Sequence, residues 1–238
     1  IPLLQGYEYS MVENSSKHPG SHHYNGIVNP GLNKEIEQWG ADAILIFGWS
    51  FSGHFSCMKY FHGKIPILFR GDSNLLDQGT NPLKDFTRKL FLKYVYRFAD
   101  YFLFTGLANR KYYTNAGIKE SSLFFAPHAV DNSRFGAPTD KTIRKNLGIS
   151  DNDILFLYAG KFEEKKNVAL LVDAFTALND MKTHLLLTGD GPCKTSLANQ
   201  IGKTQRPIRE RIHVMDFQNQ SAMPDLYQSC DIFILPSK

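Results

Sequence analysis

The hydrophobic residues of this chain come in short, unbroken runs, and that habit restricts the fold more than any other feature. Eight runs stand out, at 42–48, 65–70, 101–105, 122–126, 153–159, 183–188, 211–215 and 231–235. Continuous apolar runs of strand length suit strands buried on both faces, the mark of a parallel sheet. Helical stretches fall between them. The clearest follows Asn167, where Val168, Leu171, Val172, Phe175 and Leu178 share one helical face. Asn167 reads as the N-cap of that helix. Strands alternating with helices imply an α/β, doubly wound architecture.

The series breaks once. Pro127-His128-Ala129-Val130-Asp131 closes the first set of strands and helices. Gly136, Pro138, Thr139 and Asp140 then mark a linker, and a basic helix, Lys141–Leu147, precedes the next strand. The expected domains are residues 1–131 and 132–238, two α/β halves with a cleft between them. A length of 238 residues, at roughly 150 per domain, allows one large or two small domains. Residues 1–40 are less regular, and His18-Pro19-Gly20-Ser21-His22-His23-Tyr24 and Asn29-Pro30-Gly31 read as loop.

Composition removes several classes. With 42% hydrophobic and 21% charged residues the chain is not disordered. Its net charge of +4 suits an anionic ligand or an acidic membrane surface and is too small to imply nucleic acid. Cys57, Cys193 and Cys230 are far apart and form no CxxC pair, which argues against a zinc knuckle or a disulfide framework and for a reducing compartment. No apolar run approaches the roughly 20 residues of a membrane span. His22 and His23 have no further ligand at metal-binding spacing and read as loop residues.

Three segments after strands carry candidate chemistry. Gly160-Lys161-Phe162-Glu163-Glu164-Lys165-Lys166-Asn167 joins a strand to the best helix of the chain. A helix N-terminus offers N–H groups and the positive end of the dipole, and lysines beside it make a phosphate site. Lys165 and Lys166 read equally as solvated charges paired with Glu163 and Glu164. Gly189-Asp190-Gly191-Pro192 is the second segment, either a backbone that a ligand approaches closely or a tight strand-to-helix turn. It is not a GxGxxG fingerprint, so a nicotinamide cofactor is not indicated. Asp216-Phe217 and Pro236-Ser237 follow later strands, at the sheet edge where open α/β sheets bind ligands.

Taken in series, Gly-Lys-x5-Lys after a strand, then Gly-Asp-Gly-Pro, then a strand ending in Pro-Ser, resemble the retaining glycosyltransferases of the group 1, or family 4, type. The stretch from Phe104-Thr105 through Ala116-Gly117-Ile118 to Ala126-Pro127-His128-Ala129-Val130-Asp131 and Phe135 is similar to the approach between the domains of that family, with His128-Ala129 in place of the usual Asn-Gly. The resemblance covers about residues 41–238 and is strongest over 154–238. It implies the GT-B fold, two Rossmann-like domains, both incomplete in this chain. It implies transfer of a sugar from a nucleotide-diphosphate donor to an acceptor hydroxyl, with retention of configuration, no cofactor and no metal. By the same resemblance Lys161 and Lys166 contact the donor diphosphate as catalytic cations. Gly160, Asn167, Gly189, Asp190, Gly191, Asp216, Phe217 and Ser237 line the donor nucleotide.

The family's closing Glu-x7-Glu signature falls past Lys238, and the opening at Ile1 reads as mid-domain, so the sequence is expected to be an internal piece of a longer enzyme. On the acceptor side the family often has a His near the position of Asp72. Asp72 is read as a residue that binds the acceptor hydroxyl or acts as a base, or as a cap of the following turn. Arg70 is read as holding an anionic acceptor, and His54 as facing the cleft. The expected partners are a nucleotide sugar and a carbohydrate or lipid-linked acceptor, with no nucleic acid, at a cytoplasmic location with peripheral contact at the inner face of a membrane. A sugar-nucleotide epimerase, a phosphorylase or a non-catalytic nucleotide-sugar-binding protein are the alternatives.

Overall fold

The computed structural model describes residues 6–75 and 82–237. The opening residues 1–5, where the sequence suggests a mid-domain start, lie outside them. The chain divides into two compact units that part between Ala129 and Val130. Each of the eight apolar runs forms a strand, and every strand pairing is parallel.

The first unit runs α1 (Leu32–Trp39), β1 (Ile44–Phe47), α2 (Ser52–Phe61), β2 (Ile67–Arg70), α3 (Pro82–Tyr96), β3 (Tyr101–Phe104), α4 (Leu107–Asn115) and β4 (Leu123–Phe125). Its strands lie in sequence order, β1-β2-β3-β4. Each crossover therefore steps in one direction, and right-handed crossovers then put α2, α3 and α4 on one face. Met58, Phe61, Leu92, Val95, Tyr96, Tyr112 and Tyr113 accordingly pack with Ile46, Ile67, Phe69 and Phe102 in a single core. On the strands' other face Leu45, Phe47, Tyr101 and Phe124 stay exposed. Helix α1 falls in the stretch read as irregular. Leu32 and Ile36, its only apolar residues before Trp39, rest against the core at i, i+4 spacing, too faint a pattern to recognise beside five polar neighbours.

The second unit runs α5 (Asn132–Gly136), α6 (Thr142–Asn146), β5 (Ile154–Ala159), α7 (Val168–Leu178), β6 (Thr183–Thr188), α8 (Lys194–Gly202), α9 (Arg206–Arg209), β7 (Ile212–Met215), α10 (Met223–Ser229) and β8 (Ile232–Phe233). The order is β7-β6-β5-β8. Winding goes from β5 outward to β7 and then returns past β5 to β8, so α7 and α8 cover one face and α10 the other. Two cores result. Tyr158, Leu185 and Leu187 pack with Val168, Val172 and Phe175 of α7 and Leu197 of α8. Leu155, Leu157 and Leu186 pack with Leu226 of α10. The central strands β5 and β6 thus reach both cores, which is why they read as continuous apolar runs, while Val214 of β7 and Ile232 and Phe233 of β8 stay exposed at the edges of the sheet.

Two local expectations change. Leu178, placed on the buried face of α7, is exposed at the end of the helix, while Val168, Leu171, Val172 and Phe175 are buried as expected. The basic helix before β5 is short, and Arg144 points inward. It is buried, and its guanidinium donates to the carbonyls of Ser150, Asp153 and Ser229 and to the Asp231 carboxylate at 3.0 Å. Asp231 also accepts the Leu155 N–H at 2.8 Å. Burial works against the Asp231 carboxylate, but these donors outweigh it and hold its carboxyl below the ordinary range. Arg144 therefore clasps the loops at the entrance of β5 and β8.

Candidate functional site

Reversal of the winding creates a switch point between β5 and β8, and open α/β sheets bind ligands outside the carboxyl ends of the strands there. Gly160 and Lys161 follow β5, and Pro236 and Ser237 follow β8, its neighbour. Topology thus brings to one place two segments that lie more than seventy positions apart in sequence. Ser237 is exposed.

Backbone hydrogen bonds stitch the neighbouring loops together at this edge. The Gly160 N–H donates to the Thr188 carbonyl at 3.0 Å, the Phe162 N–H to Asp190 at 2.9 Å and the Cys193 N–H to Phe162 at 2.9 Å. The Gly189 N–H donates to Met215 at 3.2 Å, and the Thr188 hydroxyl to the Asp216 carbonyl at 3.1 Å. Phe162 is buried and stacks on Tyr158, whose hydroxyl donates to the Lys161 carbonyl at 2.7 Å. Burial pushes the Tyr158 phenol up, so it stays protonated and a donor. The backbone of Lys161 is thereby fixed while its side chain projects into solvent.

The glycines of the second segment serve this stitching. Gly189 and Gly191 have φ of +152° and +151°, and a Cβ on them would stand 1.9 Å from the Gly160 carbonyl oxygen and 2.6 Å from that of Phe162. The space a side chain would fill is therefore taken by the neighbouring loop.

The cations and carboxylates distribute as follows. Glu163 receives Lys165 at 3.1 Å and Lys161 at 3.9 Å, and the hydrogen bond from Lys165 is the main cause that holds its carboxyl below the ordinary range. Glu163 thus takes Lys161 and Lys165, where the solvated-charge reading paired Lys165 and Lys166 with Glu163 and Glu164. Lys166 closes a 3-10 turn, Glu164–Lys166, through its N–H to the Glu163 carbonyl at 2.9 Å. Asn167 occupies the N-cap position of α7, as expected, but in the left-handed conformation, φ 55°, and its side chain makes no capping hydrogen bond. Asp190 and Asp216 both turn to Lys194, whose ammonium lies 3.7 and 2.6 Å from them. Lys194 is absent from the sequence reading, although its i+4 spacing from Asp190 is a readable signal. Phe217, next to Asp216 in sequence, is exposed.

At the carboxyl edge of the first sheet, Arg70 ends β2 and Asp72 follows it. The His128 ring, from the loop after β4, meets both: its Nε2 lies 3.6 Å from the Asp72 carboxylate and its Nδ1 3.4 Å from an Arg70 guanidinium nitrogen. The loop holding Asp72 is anchored from beneath. Tyr113, buried, donates to the Gly71 carbonyl at 3.1 Å, and Asn109, buried, to the Ser73 carbonyl at 2.7 Å. His128 is the imidazole that sequence reasoning passed over, noted there only as a departure from Asn-Gly. His54 sits in the first turn of α2, with its Nδ1 3.1 Å from the Gly48 carbonyl and its ring against Phe51.

At the opposite, amino edge of the second sheet, His184 and His213 stack with ring centroids 5.3 Å apart and share a 3.1 Å hydrogen bond. Among the described residues no group of His, Cys, Asp and Glu is placed to hold a metal ion, and no helix is long and apolar enough to cross a membrane.

Residues 139–238 match the family of group 1 glycosyl transferases. Over 98 residues the chain is 26% identical to an alpha-D-kanosaminyltransferase of Streptomyces kanamyceticus, covering 40% of this chain and 25% of that enzyme. An uncharacterized glycosyltransferase of Methanocaldococcus jannaschii is 24% identical over 98 residues, 40% of this chain and 24% of that one. Among solved structures, Anabaena HepE in complex with UDP superposes with a TM-score of 0.66 at 17% identity, over 88% of this chain and 57% of that one. Sucrose-phosphate synthase from Thermosynechococcus elongatus gives 0.65 at 18%, over 87% and 53%. The chain thus spans about a quarter of the curated relatives it matches and a little over half of these solved ones. Residues 139–238 carry the signature of the group 1 glycosyltransferases, on the α/β fold that GT-B enzymes of that group share.

Proposed function

We propose that the chain is part of a glycosyltransferase that moves a sugar from a nucleotide-diphosphate donor to an acceptor hydroxyl, with retention of configuration and without a metal ion. The observation that carries this reading is the switch point between β5 and β8, with Gly160-Lys161 and Pro236-Ser237 at its two strand ends. The chemical problem in such a transfer is negative charge growing on the leaving diphosphate. Cations and helix N–H groups fixed beside it stabilise the transition state more than the ground state. Lys161, Lys166 and the start of α7 at Asn167 take that role, supplying the positive charge that other enzymes draw from a divalent ion. Gly160, Gly189, Asp190, Gly191, Asp216, Phe217 and Ser237 line the donor nucleotide.

Arg70 and Asp72 form the acceptor side, with His54 behind them at the carboxyl end of β1. The acceptor is a carbohydrate or a lipid-linked saccharide, and peripheral contact with a membrane at its cytoplasmic face belongs to the same reading. HepE has been solved with UDP and with UDP-glucose, so uridine diphosphate is the first donor nucleotide to try.

The test is thermal unfolding of the chain with UDP, GDP and ADP and with their sugars. A nucleotide that binds only the folded state adds about 2.7 kcal/mol at a hundredfold excess over Kd. One nucleotide is expected to raise Tm in this way, and Lys161→Ala and Lys166→Ala each to weaken its binding by about tenfold or more, as expected for charge-assisted phosphate contacts. If no nucleotide raises Tm, or both variants bind as the parent does, the assignment fails.

A further inference from the structure

Helix α3 is apolar on both sides. Leu92, Val95 and Tyr96 are buried in the first unit's core, as an amphipathic helix requires. Yet Phe86, Leu90 and Tyr94, spaced i, i+4, i+8 along the opposite side, are 60%, 54% and 44% exposed. Phe91 adds to the exposed surface and meets Trp49 edge to face at 5.1 Å. A basic row runs beside this stripe. Lys89, Lys93 and Arg97 follow one another at the same spacing, all exposed, and Arg97 lies over the Tyr94 ring at 4.8 Å. Asp85 is the acidic residue of the helix and sits toward the half-buried side.

We propose that the outer face of α3 docks on an anionic membrane surface, with Phe86, Leu90, Phe91 and Tyr94 entering the acyl boundary and Lys89, Lys93 and Arg97 against the headgroup phosphates. An exposed apolar stripe flanked by lysine and arginine is the arrangement of a helix lying in the interface plane. Each cation near such a surface adds attraction, and the alkyl stems reach upward while the apolar stripe sinks. A second copy of the chain is the poorer occupant, because a two-fold contact through this stripe sets one basic row near its own copy. The inference deepens the membrane contact of the proposed function. It is tested without donor or acceptor, so failure of vesicle binding and failure of nucleotide binding are seen separately.

The experiment is sedimentation of the chain with vesicles of phosphatidylcholine, with and without phosphatidylglycerol, followed also by tryptophan emission, since Trp49 lies against Phe91. Binding is expected to the anionic vesicles, with a blue shift in emission, and to fall with added salt. Phe86→Ser with Leu90→Ser, and separately Lys89→Glu with Lys93→Glu, are each expected to lower partitioning by about tenfold or more. All four side chains are exposed, so the melting curves should stay close to the parent's. The proposal is overturned if the parent does not bind anionic vesicles, or if folded variants bind as the parent does. It is also overturned if the chain is a dimer in solution that the Phe86 and Leu90 changes convert to monomer without altering vesicle binding.

Discussion

The Lys194 ammonium lies 2.6 Å from the Asp216 carboxylate, joining the first residue of α8 to the loop after β7 across the edge where β6 and β7 end. The pair raises the lysine and lowers the carboxyl, each through its hydrogen bond to the other. Because it stands in solvent, it contributes little to stability. Lys194→Ala should therefore leave the midpoint of denaturant unfolding close to the parent's, while the Asp216 carboxyl titrates closer to an ordinary aspartate. Carboxyl NMR titration of the two proteins checks the second point, and denaturant unfolding the first. A large fall in that midpoint would mean that the pair holds the loops in place.

Gly189 makes the opposite case. Its Cβ has no room beneath the Gly160 carbonyl, and its φ of +152° is one that side chains rarely adopt. Gly189→Ala should cost about 2–4 kcal/mol through backbone strain and displacement of the loop after β5. Gly202, at the end of α8, has nothing within 4 Å of such a Cβ. Gly202→Ala should be neutral or stabilising by up to about 1 kcal/mol. Paired urea melts of the two variants decide whether the glycine acts by close packing.

Acid should weaken the second unit through its two stacked histidines. Burial lowers the pKa of His213 to about 4 from an ordinary 6.5, with the neighbouring His184 adding to it, and burial lowers His184 as well despite Asp153 nearby. Arg211 and Arg144 also bear on His184. The folded chain keeps these rings neutral, whereas the unfolded chain protonates them. Their contribution is thus fully present above about pH 6.5 and is lost as pH falls from there to about 4. With partial solvent exposure allowed for, the loss is about 1–2 kcal/mol. His213→Gln should flatten this part of the stability profile. Urea melts from pH 7 to 4 measure it, and an unchanged slope would contradict the assignment.

Arg144 should be the most sensitive polar residue of the second unit. Arg144→Met keeps the bulk but removes the guanidinium that donates to the Asp231 carboxylate and to the Ser150, Asp153 and Ser229 carbonyls, leaving Asp231, among the described residues, only the Leu155 N–H. The expected cost is about 1–3 kcal/mol, from buried carbonyls that lose a donor, because water replaces the guanidinium at the half-exposed Asp231 carboxylate. Arg144→Lys should recover only part of it, because an ammonium cannot reproduce the planar fork. Thermal unfolding of the two variants tests the order.

Strands β5 and β6 were legible because their residues reach a core on both faces, which writes a run such as Leu155-Phe156-Leu157-Tyr158, whereas the runs of the first sheet are equally apolar although Leu45, Phe47, Tyr101 and Phe124 face outward, against the burial on both faces that such runs suggest. Helix α7 was legible for the related reason that four residues of one face reach the core. Helix α1 was not, since Leu32 and Ile36 alone carry it. The same limit applies to the candidate site. Lys161 and the Gly-Asp-Gly segment announce themselves by sitting after strands, whereas Lys194, His128 and Arg144 acquire their roles from partners far away in sequence.

By itself the sequence determined the alternation of buried strands and helices, the order in which they come and the residue types at the strand ends. Those properties are local, because a strand or a helix face is spelled within one short window. Tertiary structure decided which strand ends become neighbours. Only the return of β8 to the side of β5 brings Ser237 to the edge that Lys161 occupies, and only close loop packing explains why positions 189 and 191 are glycine. Tertiary packing also decided that α3 turns an apolar stripe outward, since a core can cover one side of a helix and leaves the other to solvent or to a partner.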